Sequence, residues 1–176
     1  MDLIVYKDKY GKEYCYQIGA NPYNLAFKAI DAAKVVDKLP KYMRKNFKGI
    51  LFSNEAHPLD KCWREFYKIK GTYNFQEGVM YSGERIYVRK HYSIEDFKGN
   101  FVHEIGHNID KKVRIQDKWQ AIMDADGVAI RKYSAENPME DIADSWSLWI
   151  MDRARLKKEF PHRYDAIRSY IKQANR

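Results

Sequence analysis

The residues best placed to do chemistry are the run Val102-His103-Glu104-Ile105-Gly106-His107. Side chains four apart on a helix lie on the same face, so His103 and His107 bring two imidazoles to one ion. Glu104, between them, is offset toward an open coordination position. A carboxylate there takes a proton from an activated water and hands it to a leaving amine. Zinc, one ion per chain, suits such a pair because it lowers the pKa of its water to about 7. With 5 His and 10 Glu in 176 residues, chance placement gives this spacing in under roughly one chain per hundred. Two ordinary histidines near solvent is therefore the weaker reading. Gly106 costs a helix interior roughly 1 kcal/mol, which points to close packing beside the metal.

Such a site needs a third protein ligand, and the candidates downstream are acids. Asp110 lies only three residues past His107. Its short side chain is better suited to hold a ligand histidine or a neighbouring loop from behind. Asn137 and Pro138 read as an N-cap and a first helical residue. They place Glu140 in the first turn and Asp144 one turn further on the same face. From there Glu140 can reach the metal, and Asp144 can support His103 or His107. Two alternatives stay open: Glu140 as the capping partner of Asn137, and Glu136, ahead of the proline, as the competing ligand.

The elements that must hold these residues are legible in outline. Residues 3–6 and 13–18 read as strands of a hairpin around Asp8-Lys9-Tyr10-Gly11. A helix starts at Asn21-Pro22 and carries Leu25, Ala26, Ala29, Ala32, Ala33 and Val36 at helical spacing, with Pro40 ending it or starting a shorter one. Residues 49–53 form a short apolar strand, and residues 58–67 suggest a helix. Residues 78–81 and 85–89, joined by Ser82-Gly83-Glu84, read as a second hairpin. From Ser93 the pattern is helical. Ser93 and Asp96 resemble a capping box, and Phe97, Phe101, Ile105 and Ile109 form one stripe on a helix of about 18 residues. A further helix carries Trp119, Ile122 and Met123 and closes at Asp126-Gly127. Another runs from Asn137-Pro138 through Trp146 and Trp149, and Pro161 starts a last one. The fold class expected is α+β, a small mixed sheet packed on helices, in a single domain over 1–176. An N-terminal α/β lobe covers about 1–110 and a helical C-terminal lobe about 111–176.

The run His103-Glu104-Ile105-Gly106-His107-Asn108-Ile109-Asp110, followed by Tyr133 and Glu140-Asp141-Ile142-Ala143-Asp144, resembles the catalytic domain of anthrax toxin lethal factor and the Pro-Pro endopeptidases. In that family a later-helix glutamate completes the histidine pair, as in gluzincins, and a tyrosine seven positions before it faces the site. Glu140 and Tyr133 match both positions. The resemblance covers about 78–171. It departs at Ile142, where Phe is commoner, at Asp144, where Glu is commoner, and in the short gap from His107 to Glu140. It implies a zincin-like, toxin-related fold with an active-site helix between two lobes, and zinc-dependent endopeptidase activity. It also implies that Tyr133 donates a hydrogen bond to the oxyanion. Gly78, Val79, Met80 and Tyr81 would be the edge strand along which extended peptide lies.

Composition narrows the partners. Hydrophobic residues make up 45% and charged residues 32%, which is globular rather than disordered. The formal charge is +8 and the isoelectric point about 9.3. The basic residues are scattered, with short runs at 38–45 and 153–158 and no nucleic-acid motif. A solvated lysine-rich face is expected, and nucleic acid is not the expected partner. Cys15 and Cys62 lack CxxC spacing and support neither a disulfide framework nor a cysteine metal site. No signal peptide or membrane span is visible. A soluble monomer acting on peptide or protein is expected, cytoplasmic by default, or secreted if a leader was removed or export is non-standard. Two other readings differ in class. One is a mobile-element-type peptidase that cleaves a repressor. The other is a basic binding module that retains a zinc site.

Overall fold

The computed structural model describes residues 3–16, 28–52, 65, 79–82, 85–88, 93–135 and 137–174. Among them are five strands, seven α-helices and one 3-10 turn. The expected helix start at Asn21-Pro22, the end of the second strand at 17–18, Cys62, Gly78, Gly83, Glu84 and Glu136 lie outside the described residues. Of the expected helix over 58–67 only Glu65 is described, and it is helical.

The strands are β1 (Leu3–Lys7), β2 (Glu13–Tyr16), β3 (Gly49–Phe52), β4 (Val79–Ser82) and β5 (Arg85–Val88). They form one mixed sheet in the order β1-β2-β3-β5-β4. The three inner strands are parallel, with Tyr14 opposite Ile50 and Ile50 opposite Ile86. β1 and β4 are antiparallel edges. All four β3 residues are buried, as an unbroken apolar run covered on both faces requires. Each expected hairpin is present as an antiparallel pair. The β1–β2 turn is organised by Asp8, whose carboxylate accepts from the Tyr10 and Lys12 amides at 2.9 Å each and from the Tyr14 hydroxyl at 3.1 Å.

Helix α1 (Ala29–Lys38) starts later than the expected run from Asn21-Pro22, because Lys28 just before it is not helical. It buries Ala29, Ala32, Ala33 and Val36, the described part of the predicted stripe. Pro40 both ends it and caps the short α2 (Lys41–Arg44). The remaining helices are α3 (Ile94–Val113), α4 (Gln116–Asp126), α5 (Pro138–Met151), α6 (Arg153–Glu159) and α7 (Pro161–Ala174), with the 3-10 turn at Tyr133–Ala135. Packing divides the chain into two compact units, Met1–Val35 with Lys48–Phe97 and Val36–Phe47 with Lys98–Arg176. The first holds the sheet and the second most of the helices. The observed class is mixed α+β.

Within the helical unit, Phe101, Val102, Ile105 and Ile109 of α3 are buried, and Phe101 meets Phe47 edge-on at 5.2 Å. Gly127 ends α4 in the left-handed conformation (φ 70°), its amide bonded to the Met123 carbonyl, the conformation a residue without Cβ adopts most cheaply. Helix α5 is the hub, packing on α4, α6, α7 and the 3-10 turn. It is buried along Ile142, Ala143, Trp146 and Trp149. At Asp152 the chain breaks from α5 and restarts as α6, with the Asp152 carboxylate accepting from the Arg155 amide at 3.0 Å. No described helix is long and apolar enough to cross a membrane.

Candidate metal centre

The α3 start is fixed locally: Ser93 Oγ accepts from the Asp96 amide at 3.0 Å and bonds the Asp96 carboxylate at 2.7 Å. The apolar stripe then turns Phe101 and Ile105 inward. His103 and His107, one turn apart, come onto a shared face. Their rings meet edge-on, perpendicular, with centroids 4.8 Å apart. His103 is buried and His107 half-buried.

Helix α5 supplies the third group. The Asn137 side chain accepts from the Glu140 amide at 3.0 Å, and Pro138 occupies the first helical position. The amide of Glu140 serves the cap, while its carboxylate turns toward the histidines. Glu140 Oε2 lies 3.2 Å from His103 Nε2 and 3.6 Å from His107 Nε2. Glu140 is itself buried. One ligand atom from each of the three residues lies within 4.8 Å of the other two, a spacing that can hold a metal ion.

Asp144, one turn further along α5, stands behind His103. Its Oδ1 is 2.8 Å from His103 Nδ1. With Nδ1–H donated to Asp144, Nε2 is left on the side of Glu140, where it could face a metal ion, the arrangement that orients metal-bound histidines. Asp144 Oδ2 in turn accepts from Arg131 Nε at 2.5 Å. Of the two histidines Asp144 was expected to support, it bonds His103.

Charges in the cluster are strongly coupled. Burial opposes a charge on His103, but the bonds to Asp144 and Glu140 outweigh it and push the imidazole up to about 9. Burial likewise disfavours the Glu140 carboxylate, yet the two histidines hold it well below the usual carboxylate range. Opposite charges on His103 and Glu140 therefore favour each other within the cluster.

Glu104 is half-buried on α3, close enough for its charge to favour a protonated His103. Asp110 is buried and holds the loop: its Oδ1 accepts from the Gln116 amide at the start of α4, at 3.1 Å, and it lies close enough to His107 for their charges to interact. Tyr133 lies on the 3-10 turn that packs on α5. It is 41% exposed, with the Arg131 guanidinium 5.5 Å from its ring centre. Val79, Met80 and Tyr81 lie on the edge strand β4 of the sheet unit.

Sequence reasoning missed a second cluster that fixes α5 beside the site. Asp141, the residue after Glu140, is fully buried. It accepts from Trp119 Nε1 at 2.7 Å and from Arg163 Nε and Nη2 at 2.6 and 3.0 Å. Arg163 Nη1 also bonds Asp126 Oδ2 at 2.8 Å. The usable signal was Arg163 itself. A cation in the first turn of a helix opposes the helix dipole and calls for an anionic partner. Arg131, partnered only through the fold, carried no such signal.

The chain was compared with protein-family models and with curated proteins; no family model matches it, and no curated protein matches it significantly.

Proposed function

We propose that this chain is a zinc-dependent endopeptidase with a zincin-like catalytic fold, akin to the lethal factor and Pro-Pro endopeptidase group. The observation that carries the reading is the position of Glu140 Oε2, 3.2 and 3.6 Å from the two histidine Nε2 atoms. Zinc bonds of about 2.0–2.2 Å at tetrahedral angles separate neighbouring ligand atoms by roughly 3.3–3.5 Å. Two imidazoles and a carboxylate also suit zinc and leave a fourth position open. When bound, zinc supplies Lewis acidity that activates water and polarises the scissile carbonyl.

The chain's own groups do the rest. His103, His107 and Glu140 hold the ion, and Asp144 keeps His103 in the tautomer that presents Nε2. Glu104 takes the proton from the attacking water and delivers it to the leaving amine. Tyr133 donates a hydrogen bond to the oxyanion that develops on the carbonyl. Val79, Met80 and Tyr81 offer edge-strand main chain to which extended peptide could add.

The test is cleavage of a peptide library by zinc-loaded protein, read by mass spectrometry. Activity is expected to vanish with a chelator and in Glu104→Gln, while that variant keeps about one zinc per chain. Cleavage that persists in Glu104→Gln refutes the assigned base. Retention on DNA with no cleavage by the parent favours a binding module instead.

A further inference from the structure

We infer that Arg131 is a positioning residue that acts through Asp144 and joins the metal centre to the turn carrying Tyr133, an inference that rests on the zinc-site reading above. Its side chain and its backbone do different jobs. Through Nε it bonds Asp144 Oδ2 at 2.5 Å, and the other oxygen of that carboxylate bonds His103 Nδ1 at 2.8 Å. Its Nη2 lies 3.5 Å from the same Nδ1. The Asp144 carboxylate is therefore held from both sides, by a guanidinium and by a ligand imidazole. A carboxylate anchored at one oxygen only is free to turn about its last bond, and the imidazole it orients then turns with it.

The backbone of Arg131 builds the turn. Its amide donates to Ser134 Oγ at 3.0 Å, and Ser134 Oγ donates back to the Arg131 carbonyl at 2.8 Å. The Ala135 amide reaches the same carbonyl at 3.3 Å. Ser134 is fully buried, so this reciprocal pair pins the 3-10 turn in place. The guanidinium then lies over the Tyr133 ring at 5.5 Å, a distance at which cation and ring attract. One residue thus ties the proposed oxyanion donor to the proposed histidine ligand.

Removing an outer partner of a metal ligand commonly costs 10- to 100-fold in metal affinity or activity. Half of the Arg131 side chain is exposed, so its removal leaves the helical core intact. The experiment is a double-mutant cycle in zinc affinity, by competition with a chromophoric chelator, on the full chain. Arg131→Ala is expected to weaken zinc about tenfold, Arg131→Lys to recover part of the loss, and Asp144→Asn to weaken it at least as much. Because Arg131 acts through Asp144, adding Arg131→Ala to Asp144→Asn should cost less than threefold more. Losses that multiply in the double variant, or an Arg131→Ala affinity within twofold of the parent, overturn the inference. This readout is independent of proteolysis. Coupled losses in a protein that cleaves nothing sink the peptidase reading alone, and a parent that binds no zinc sinks both.

Discussion

Replacing Gly106 by alanine tests how tightly α3 and α5 are locked around the metal site. A Cβ at Gly106 would stand 2.9 Å from Ala143 Cα and 3.2 Å from Trp146 Cβ and Cδ1. Real Cβ contacts essentially never fall below 3.0 Å and become ordinary at 3.4 Å, so the helices must give by 0.1 Å at Ala143 and by 0.5 Å to reach ordinary contact. The atom in the way is backbone, and the buried Trp146 beside it leaves no soft side chain to absorb the shift. Ala143 lies three residues after Glu140 on the same helix, so the displacement reaches the Glu140 carboxylate. Metal–ligand bonds tolerate about 0.2 Å. The 0.5 Å shift to ordinary contact exceeds that tolerance.

Two effects on stability oppose each other. Alanine gains roughly 0.5–1 kcal/mol over glycine in a helix interior, while overpacking costs about 1–3 kcal/mol. The net change in folding runs from about zero to a loss of about 2.5 kcal/mol, and metal affinity is the sharper readout. Zinc affinity is expected to fall tenfold or more in Gly106→Ala, measured by chelator competition. Gly99→Ala is the control: it lies on the same helix, but a Cβ there meets nothing within 4 Å. It should keep parental zinc affinity and gain stability. If Gly106→Ala binds zinc as tightly as the parent and is stabilised as much as Gly99→Ala, the close approach of the two helices does not set the site.

The buried cluster around Arg163 gives two more expectations. Arg163→Ala leaves Asp141 and Asp126, both with side chains 0% exposed, without their shared counter-charge. Breaking a buried pair in this way costs about 3–5 kcal/mol; a loss under about 1 kcal/mol in denaturant unfolding would contradict it. Burial disfavours the charged Asp126, but bonds from the His162 amide and ring and from Arg163 outweigh it and lower its pKa. A folded pKa below the unfolded value of about 3.9 gives stability that is fully present above that pH and lost as pH falls through the folded value. The urea midpoint of the parent should therefore drop more steeply below about pH 4 than that of Asp126→Asn. Parallel acid limbs would remove Asp126 from the account.

What the sequence made legible was local. Ser93, Asn137-Pro138 and Asp126-Gly127 each announce an element boundary through side-chain or backbone chemistry within a few residues, and each boundary is found. Glu140 was legible because its cap fixes its place on the first turn of α5. The choice of its role needed the fold, since amide and carboxylate of one residue serve different partners. The order β3-β5-β4 was not legible, because a hairpin pattern specifies which strands pair with each other and not which of them joins the rest of the sheet. Arg131 and Arg163 find partners 13 and 22 residues away, on helices whose approach only tertiary packing decides.

The first two turns of α5 carry more constraints than their length suggests, and these converge on one carboxylate. Asn137 caps the Glu140 amide, Arg163 and Trp119 hold Asp141, and Gly106 admits Ala143. Arg131 and His103 fix Asp144. A glutamate side chain has three rotatable bonds, and ordering it costs up to about 2 kcal/mol. Anchoring residues 137, 141, 143 and 144 restrains the helix itself, so only that side-chain cost would be left for a metal ion to meet. The arrangement explains why acidic residues crowd this segment while only Glu140 among those described faces both histidines. Asp141 holds the helix, Asp144 bonds His103, and the Glu140 carboxylate turns to the histidine pair.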